Sequence, residues 1–497
     1  MEQKKSEFNK VLNAWDVLVI AFGAMIGWGW VVSTGGWIEK GGVLGAAIGF
    51  VIGGIMIFFV GMTYAELTAA MPQCGGEHVF SYKAMGSTGS FICTWMIILG
   101  YVSVACFEAC AFPTIITYLW PGFLKGYLYT VAGFDIYASW LIVAIVIAFL
   151  IMMINIIGAK TAAILQTELT CIIGGAGILL IIASVINGTV DNLDGQMFAS
   201  SSAGLNVKAI IGVAALSPFY FIGFDVIPQA AEEINVPAKK IGSILILSVV
   251  LAVVFYALVI VAVGLVMGPQ AIVDSEQATG LVTADAMAAA FNTKIMAKVI
   301  IVGGMCGIVT SWNSFLLGGS RAMYSMAESY MIPKFFAKLH PKHKTPINAL
   351  ILIGSLTMLA PFAGRKCLYG SVMPATLAAV WHIAWLLFHS LFFARRSRIC
   401  QDLTRFQHTS SLERWRSSCQ ASWLQCTAYR EAADHLSPRS GASCLHGVRS
   451  AWYSSSSVKR NTRSHLVHLL SSSQMRMLQH LCRRQMRLNW IRLSMLQ

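Results

Sequence analysis

The chain has 497 residues, 56% hydrophobic and 12% charged, with a mean hydropathy of +0.67. Its apolar runs are individually longer than the ~20 residues needed to cross a bilayer, which makes it a polytopic membrane protein. The formal charge of +14 does not mark a nucleic-acid binder: residues 1–366 hold 19 Lys+Arg against 18 Asp+Glu, residues 367–497 hold 17 against 4, so the excess belongs to the tail.

Ten apolar segments can be drawn, at roughly 15–37, 43–71, 91–119, 137–157, 165–187, 207–229, 241–267, 287–319, 347–363 and 368–394. Before the first, Met1 to Lys10 carry Lys4, Lys5 and Lys10 but also Glu2 and Glu7. No small-residue cleavage site follows, so the first run is read as a retained span. That span holds Gly23-Ala24-Met25-Ile26-Gly27-Trp28-Gly29-Trp30. Each glycine costs about 1 kcal/mol against alanine in a helix interior, and three within seven residues predict an interruption. The second span opens with Gly41, Gly45, Gly49 and Gly53, a bare face that lets another helix of the bundle approach closely. After it, Met71-Pro72-Gln73-Cys74-Gly75-Gly76-Glu77 reads as a turn.

Glu108 lies deep in the third span, where a carboxylate costs a few kcal/mol unless it is paired, protonated or in a cavity. Binding a substrate cation or carrying a proton is the reading preferred to a structural hydrogen bond. A second interruption, Ser217-Pro218-Phe219-Tyr220-Phe221-Ile222-Gly223-Phe224-Asp225, falls in the sixth span. Broken segments in matching positions of two halves point to a transporter with inverted repeats and a mid-membrane site. The connection 320–346 reads as an amphipathic surface helix. Lysines and arginines concentrate in the N-terminus and in the loops after the second, fourth, sixth and eighth spans, so the positive-inside rule places the N-terminus in the cytoplasm and the protein in the cytoplasmic membrane.

From Cys367 the composition changes. The first 366 residues have 17 Lys and 2 Arg, the remainder 1 Lys and 16 Arg, while Gly falls from 40 to 3. Residues 367–394 are apolar enough for a tenth span, although Pro374, His382 and His389 interrupt it; residues 395–497 are Ser-, Arg- and His-rich without a spanning run. An out-of-frame translation is the preferred reading of that tail, with a disordered tail and an RNA- or lipid-binding arm as alternatives.

A broken membrane helix exposes N–H and C=O groups where water is scarce, and something polar must meet them. The N–H groups freed over Gly23 to Gly29, including Ala24, Met25, Ile26 and Gly27, suit a carboxylate at the end of a half-helix. Carbonyls near Phe219, Phe221, Ile222 and Gly223 suit an ammonium group. Together they describe a site for a zwitterion; glycine-mediated crossings with no ligand are the alternative. Trp28, Trp30, Phe219, Phe221 and Phe224 could close over a ligand, with Phe221 the best gate candidate, although packing is the preferred reading of aromatic residues in membrane helices. Asp225 fits a helix cap or a network holding the break, and Glu66 reads as a gate or packing residue. No nucleotide loop, zinc signature or triad is present, so no enzyme activity, cofactor or metal is expected.

The run Gly23-Ala24-Met25-Ile26-Gly27-Trp28-Gly29, then Tyr64-Ala65-Glu66-Leu67 with Pro72 and Gly75-Gly76-Glu77, Asn155-Ile156-Ile157-Gly158-Ala159-Lys160, Phe221-Ile222-Gly223-Phe224-Asp225 with Ala231-Glu232-Glu233, and Ser320-Arg321-Ala322-Met323 resembles the successive signatures of the amino acid, polyamine and organocation transporter superfamily, over about residues 10–366. The resemblance implies an all-α integral membrane fold of five plus five inverted repeats, with discontinuous first and sixth helices. It also implies proton-coupled, exchanging or sodium-coupled movement of amino acids or amines by alternating access, with the substrate and membrane lipids as partners and no nucleic acid. Lys160 matches the lysine that begins the fifth span in many relatives, where its ammonium reaches the first-span break in place of sodium; Thr310 and Ser311 leave sodium open. The family's last two spans have no counterpart here. A membrane amino-acid sensor without turnover and a truncated, non-functional permease are the other readings.

Overall fold

The computed structural model describes residues 8–364 apart from Ala132; the expected tenth span at 367–394 and the tail at 395–497 lie outside the described residues. The first apolar segment is two helices, α1 (Ala14–Met25) and α2 (Gly29–Gly41), bent by 47° where they meet. A reciprocal cap starts α1: Asn13 Oδ1 accepts from the Asp16 N–H and the Asp16 carboxylate accepts from the Asn13 N–H, both at 2.9 Å. Then come α3 (Val43–Ala70) and α4 (Glu77–Leu119), the latter kinked at Gly86, whose φ of 78° a side chain would resist. The glycine face of α3 meets the sixth-span helix α7 (Ala203–Leu216): a side chain at Gly49 would lie 2.8 Å from Val213, and one at Gly53 would collide with Ser217. Bundle packing is therefore the use of that face.

An antiparallel hairpin, β1 (Tyr127–Val131) and β2 (Phe134–Tyr137), follows α4 and corrects the all-α expectation. Its reason is local. Aromatic and β-branched residues flank Gly133, which turns the chain at φ 72°. The chain continues through α5 (Ala138–Ile157) and α6 (Ala159–Asn187) to α7. After a 3-10 turn at Ser217–Phe221 comes only one turn of helix, α8 (Val226–Gln229). There follow α9 (Ala238–Val266), the short α10 (Pro269–Ala278) and α11 (Val282–Ala290), α12 (Lys294–Glu328) and α13 (Ile347–Leu359). Among the described residues seven helices are long and apolar enough to cross a membrane, or eight with α1 and α2 as one bent span.

The expected surface helix over 320–346 is not there. The helix α12 runs on to Glu328, and the rest is a 3-10 turn at Lys334–Ala337 and a bridge between Leu339 and Pro346. Ser320 and Arg321 belong to α12 and are fully buried, whereas Lys334, Lys338 and Lys342, which made the stretch look amphipathic, are exposed on short turns. Arg321 donates to both carboxylate oxygens of Glu233, from Nε at 2.7 Å and Nη2 at 3.1 Å. Glu233 in turn accepts the Val11 and Leu12 N–H groups at its backbone carbonyl, so the N-terminal segment, the end of the sixth span and α12 are tied at one face of the bundle. Arg321→Met strands the Glu233 carboxylate without its cation and lowers stability in detergent by about 3–5 kcal/mol. Thermal unfolding followed by size-exclusion fluorescence measures it, and adding Glu233→Gln recovers much of the loss.

Candidate functional site

The two interruptions pack directly on one another. A side chain at Gly223 (φ 137°) would lie 2.7 Å from the Ala24 Cβ and 3.1 Å from the Met25 N, and one at Gly29 would lie 2.8 Å from the Tyr220 ring. Gly27 is similarly pressed toward α12, with Ser311 Oγ at 3.1 Å from the Cβ it lacks. Glycine is needed here for approach of backbone to backbone, beyond its freedom in turns.

Side chains from other helices meet carbonyls at and just before the first break. Tyr256 Oη donates to Met25 O at 2.7 Å, Thr310 Oγ1 to Gly23 O at 2.9 Å, Ser314 Oγ to Ile20 O at 3.3 Å and Trp30 Nε1 to Ile26 O at 3.3 Å. The Tyr256 hydroxyl is also 3.3 Å from Tyr220 O, so one group from α9 touches both interruptions. In the second break Asp225 Oδ1 accepts the Gly223 N–H at 2.8 Å, and Tyr101 Oη donates to Asp225 Oδ2 at 2.5 Å. Asp225 makes no side-chain cap on α8. It holds the break to α4, the second of the two roles the sequence allowed.

Beside the breaks lies a cavity of about 390 Å³, within the range of small-molecule sites. Ala24, Met25, Gly27, Trp28 and Gly29 form one wall, Phe219, Tyr220 and Ile222 another, and α4 contributes Phe107, Glu108, Ala111 and Tyr118. Gly23, Ile26, Phe221, Gly223 and Phe224 do not line it. Phe221 is fully buried against Phe50 and Tyr256, and Phe224 against Tyr64. Both are therefore packing residues in this structure, because the extended backbone at Ile222 (ψ 132°) turns their rings into the bundle. The Trp28 ring fills the space above Gly304 and forms cavity wall at the same time.

The ammonium of Lys160 departs from the expected position at the first-span break. It pairs with Asp16 Oδ2 at 2.7 Å, at the start of α1, and its side chain is 45% exposed. The capping box turns the Asp16 carboxylate toward α6 and supplies a nearer partner than the break. Glu66 is exposed on α3 and does not line the cavity. Glu108 is 7% exposed; one carboxylate oxygen is hydrogen-bonded to Ser311 Oγ, and Oε2 has no hydrogen-bond partner among the described residues. Tyr256 was not singled out from the sequence. A tyrosine at the centre of an otherwise uncharged apolar span was the available signal, since a buried phenol needs a partner.

The profile described as "Amino acid permease" matches residues 16–394. The chain is 26% identical over 371 residues to the branched-chain amino acid permease BcaP of Bacillus subtilis, covering 71% of this chain and 75% of that one. It is 26% identical over 395 residues to the methylthioribose transporter of the same organism, covering 76% and 80%. With the cationic amino acid transporter 7, chloroplastic, of Arabidopsis thaliana it shares 24% over 387 residues, covering 76% and 65%.

Tyr256→Phe removes the donor to Met25 O and leaves a carbonyl unpaired at a depth without water. A loss of about 1–3 kcal/mol in stability is expected, read as a lower midpoint of thermal unfolding in detergent. Phe255→Leu, which takes away only packing beside it, leaves the hydrogen bond to Met25 in place and serves as the comparison.

Proposed function

The chain belongs to the amino acid permease family, and from that membership and the cavity between its two broken helices we infer a secondary transporter that carries an amino acid or related amine across the cell membrane. The observation that carries this reading is the meeting of two interrupted helices beside a hollow lined mostly by apolar side chains, with Glu108 and a few hydroxyls in its wall. In it the substrate carboxylate rests against the N–H groups at the start of α2, where the half-helix presents its positive end. The named substrates of its relatives span branched-chain and cationic amino acids and methylthioribose, so membership alone selects no side chain.

The fold we assign is five plus five inverted repeats, in which α1–α2 and α7–α8 are equivalent broken helices and α13 is the ninth span. Transport is by alternating access, proton-coupled or as exchange, with the N-terminus in the cytoplasm. Lining residues Thr114, Tyr118, Val32 and Ser33 carry the cavity away from the N-terminal face. At that face Arg321 and Glu233 stitch the helices together. In an alternating cycle this pair is the lock that must open to release substrate inward, while Lys160 couples the start of α1 to α6 through Asp16.

Counterflow of labelled amino acids by the full-length chain in proteoliposomes tests the reading. At least one amino acid is expected to exchange, and Gly27→Val, which pushes a side chain onto Ser311 and into the carboxylate position, is expected to reduce the rate tenfold or more. A chain that binds amino acids with no counterflow is a sensor, and the carrier reading is then wrong.

A further inference from the structure

The cavity contains a carboxylate where a site for a zwitterion would be expected to hold only neutral groups. Glu108 projects from the third span into the wall, more than nine-tenths buried. Through Ser311 it abuts Gly27, since Ser311 Oγ contacts Glu108 Oε1 on one side and lies 3.1 Å from the missing Gly27 Cβ on the other. Its second oxygen has no hydrogen-bond partner among the described residues. Every other side chain named in the cavity wall is uncharged, so no cation among the described residues faces Glu108 there.

The sixth-span carbonyls are less available than the sequence suggested. Phe219 O accepts from Ile222 N and Gly223 O from Val226 N, and Tyr220 O is approached by the Tyr256 hydroxyl, which leaves Phe221 O and Ile222 O as the neutral acceptors of the break without a partner among the described residues. An ammonium entering the cavity therefore meets its strongest acceptor on α4. A charge-assisted hydrogen bond is roughly twice as strong as a neutral one, and the same contact relieves the buried carboxylate.

We propose that Glu108 is the receptor for the substrate's amino group, and that the site consequently selects primary amines, with the carboxylate contributing less. Resting on the carrier reading, this makes the substrate class amine-bearing molecules, including amines that lack a carboxylate altogether. Glu108 is then a specificity-determining residue, and Ser311, which holds it by one oxygen, a positioning residue.

The test uses the full-length chain in proteoliposomes with three matched sets: leucine, 3-methylbutylamine and 4-methylpentanoate; alanine, ethylamine and propionate; arginine, agmatine and 5-guanidinopentanoate. Each amine and acid competes against counterflow of its labelled parent amino acid, and binding is read in parallel by thermal shift. The amine is expected to compete at least tenfold better than the acid in the set whose amino acid is carried. Glu108→Gln, which keeps the hydrogen-bonding shape, is expected to weaken amino acid and amine tenfold or more and leave the acid unchanged; Ser311→Ala is expected to weaken the amine less. An acid that competes as well as the amine in the unaltered chain overturns the proposal without any variant. So does a Glu108→Gln chain that keeps the ranking and loses only proton-driven accumulation, because Glu108 is then a proton carrier. Absence of counterflow and of binding across all three sets overturns the carrier reading and this one with it.

Discussion

Peptide groups exposed inside a bilayer must find partners, and the rest of this fold is arranged to provide them. The interruption of the first span frees carbonyls at Gly23, Met25 and Ile26, and donors to them come from α12, α9 and a tryptophan of α2 itself, while Ser314 of α12 adds a bond to Ile20 O within α1. Those donors fix where the neighbouring helices can lie. For Tyr256 to reach Met25, α9 must cross close to the break; for Thr310 and Ser314 to reach Gly23 and Ile20, α12 must run alongside α1. The interruptions thus cost hydrogen bonds that can be replaced only by a particular bundle.

Glycine supplies the other half of the constraint. Gly27 and Gly307 let α1 and α12 meet backbone to backbone: a Cβ on Gly307 would lie 3.0 Å from the Gly27 carbonyl carbon. Gly223 does the same between the two breaks. Because the contacts are between main chains, any side chain at these positions displaces a helix axis, and the hollow beside Glu108 changes shape with it. Site geometry and helix packing are one problem in this protein, and substitutions at the glycines move both.

The parts legible in the sequence were those set by backbone chemistry. Glycines 23, 27 and 29, Pro218 and Gly223 located both breaks because their conformational preferences are local. The side-chain destinations were less legible, since they depend on which helices become neighbours. Lys160 could be placed at the start of a span, but its choice of Asp16 over the break follows from the capping geometry of Asn13 and Asp16, which directs a carboxylate toward α6. Phe221 looked like a gate because it is aromatic and beside a break; one extended residue, Ile222, decides that it faces Phe50 instead. Of the charged residues after Ser320, Arg321 faces inward onto the buried Glu233, which depends on the neighbouring helix and not on local spacing, while Lys334, Lys338 and Lys342 are exposed.

That buried pair and Glu108 are both carboxylates taken out of water, yet they have opposite consequences. Glu233 meets a guanidinium through two hydrogen bonds and so has no reason to change partner while the helices stay together. Its desolvation is offset within the protein, and separating the two costs several kcal/mol, which suits a fixed or slowly opened closure. Glu108 meets only a serine hydroxyl, leaving one oxygen's demand for a donor unmet by the described residues. On the proposed reading, a group in that condition favours a positive donor that diffuses into the hollow, and releases it when the surrounding walls admit water. The difference between the proposed lock and the proposed binding group is therefore whether the protein itself supplies the counter-charge.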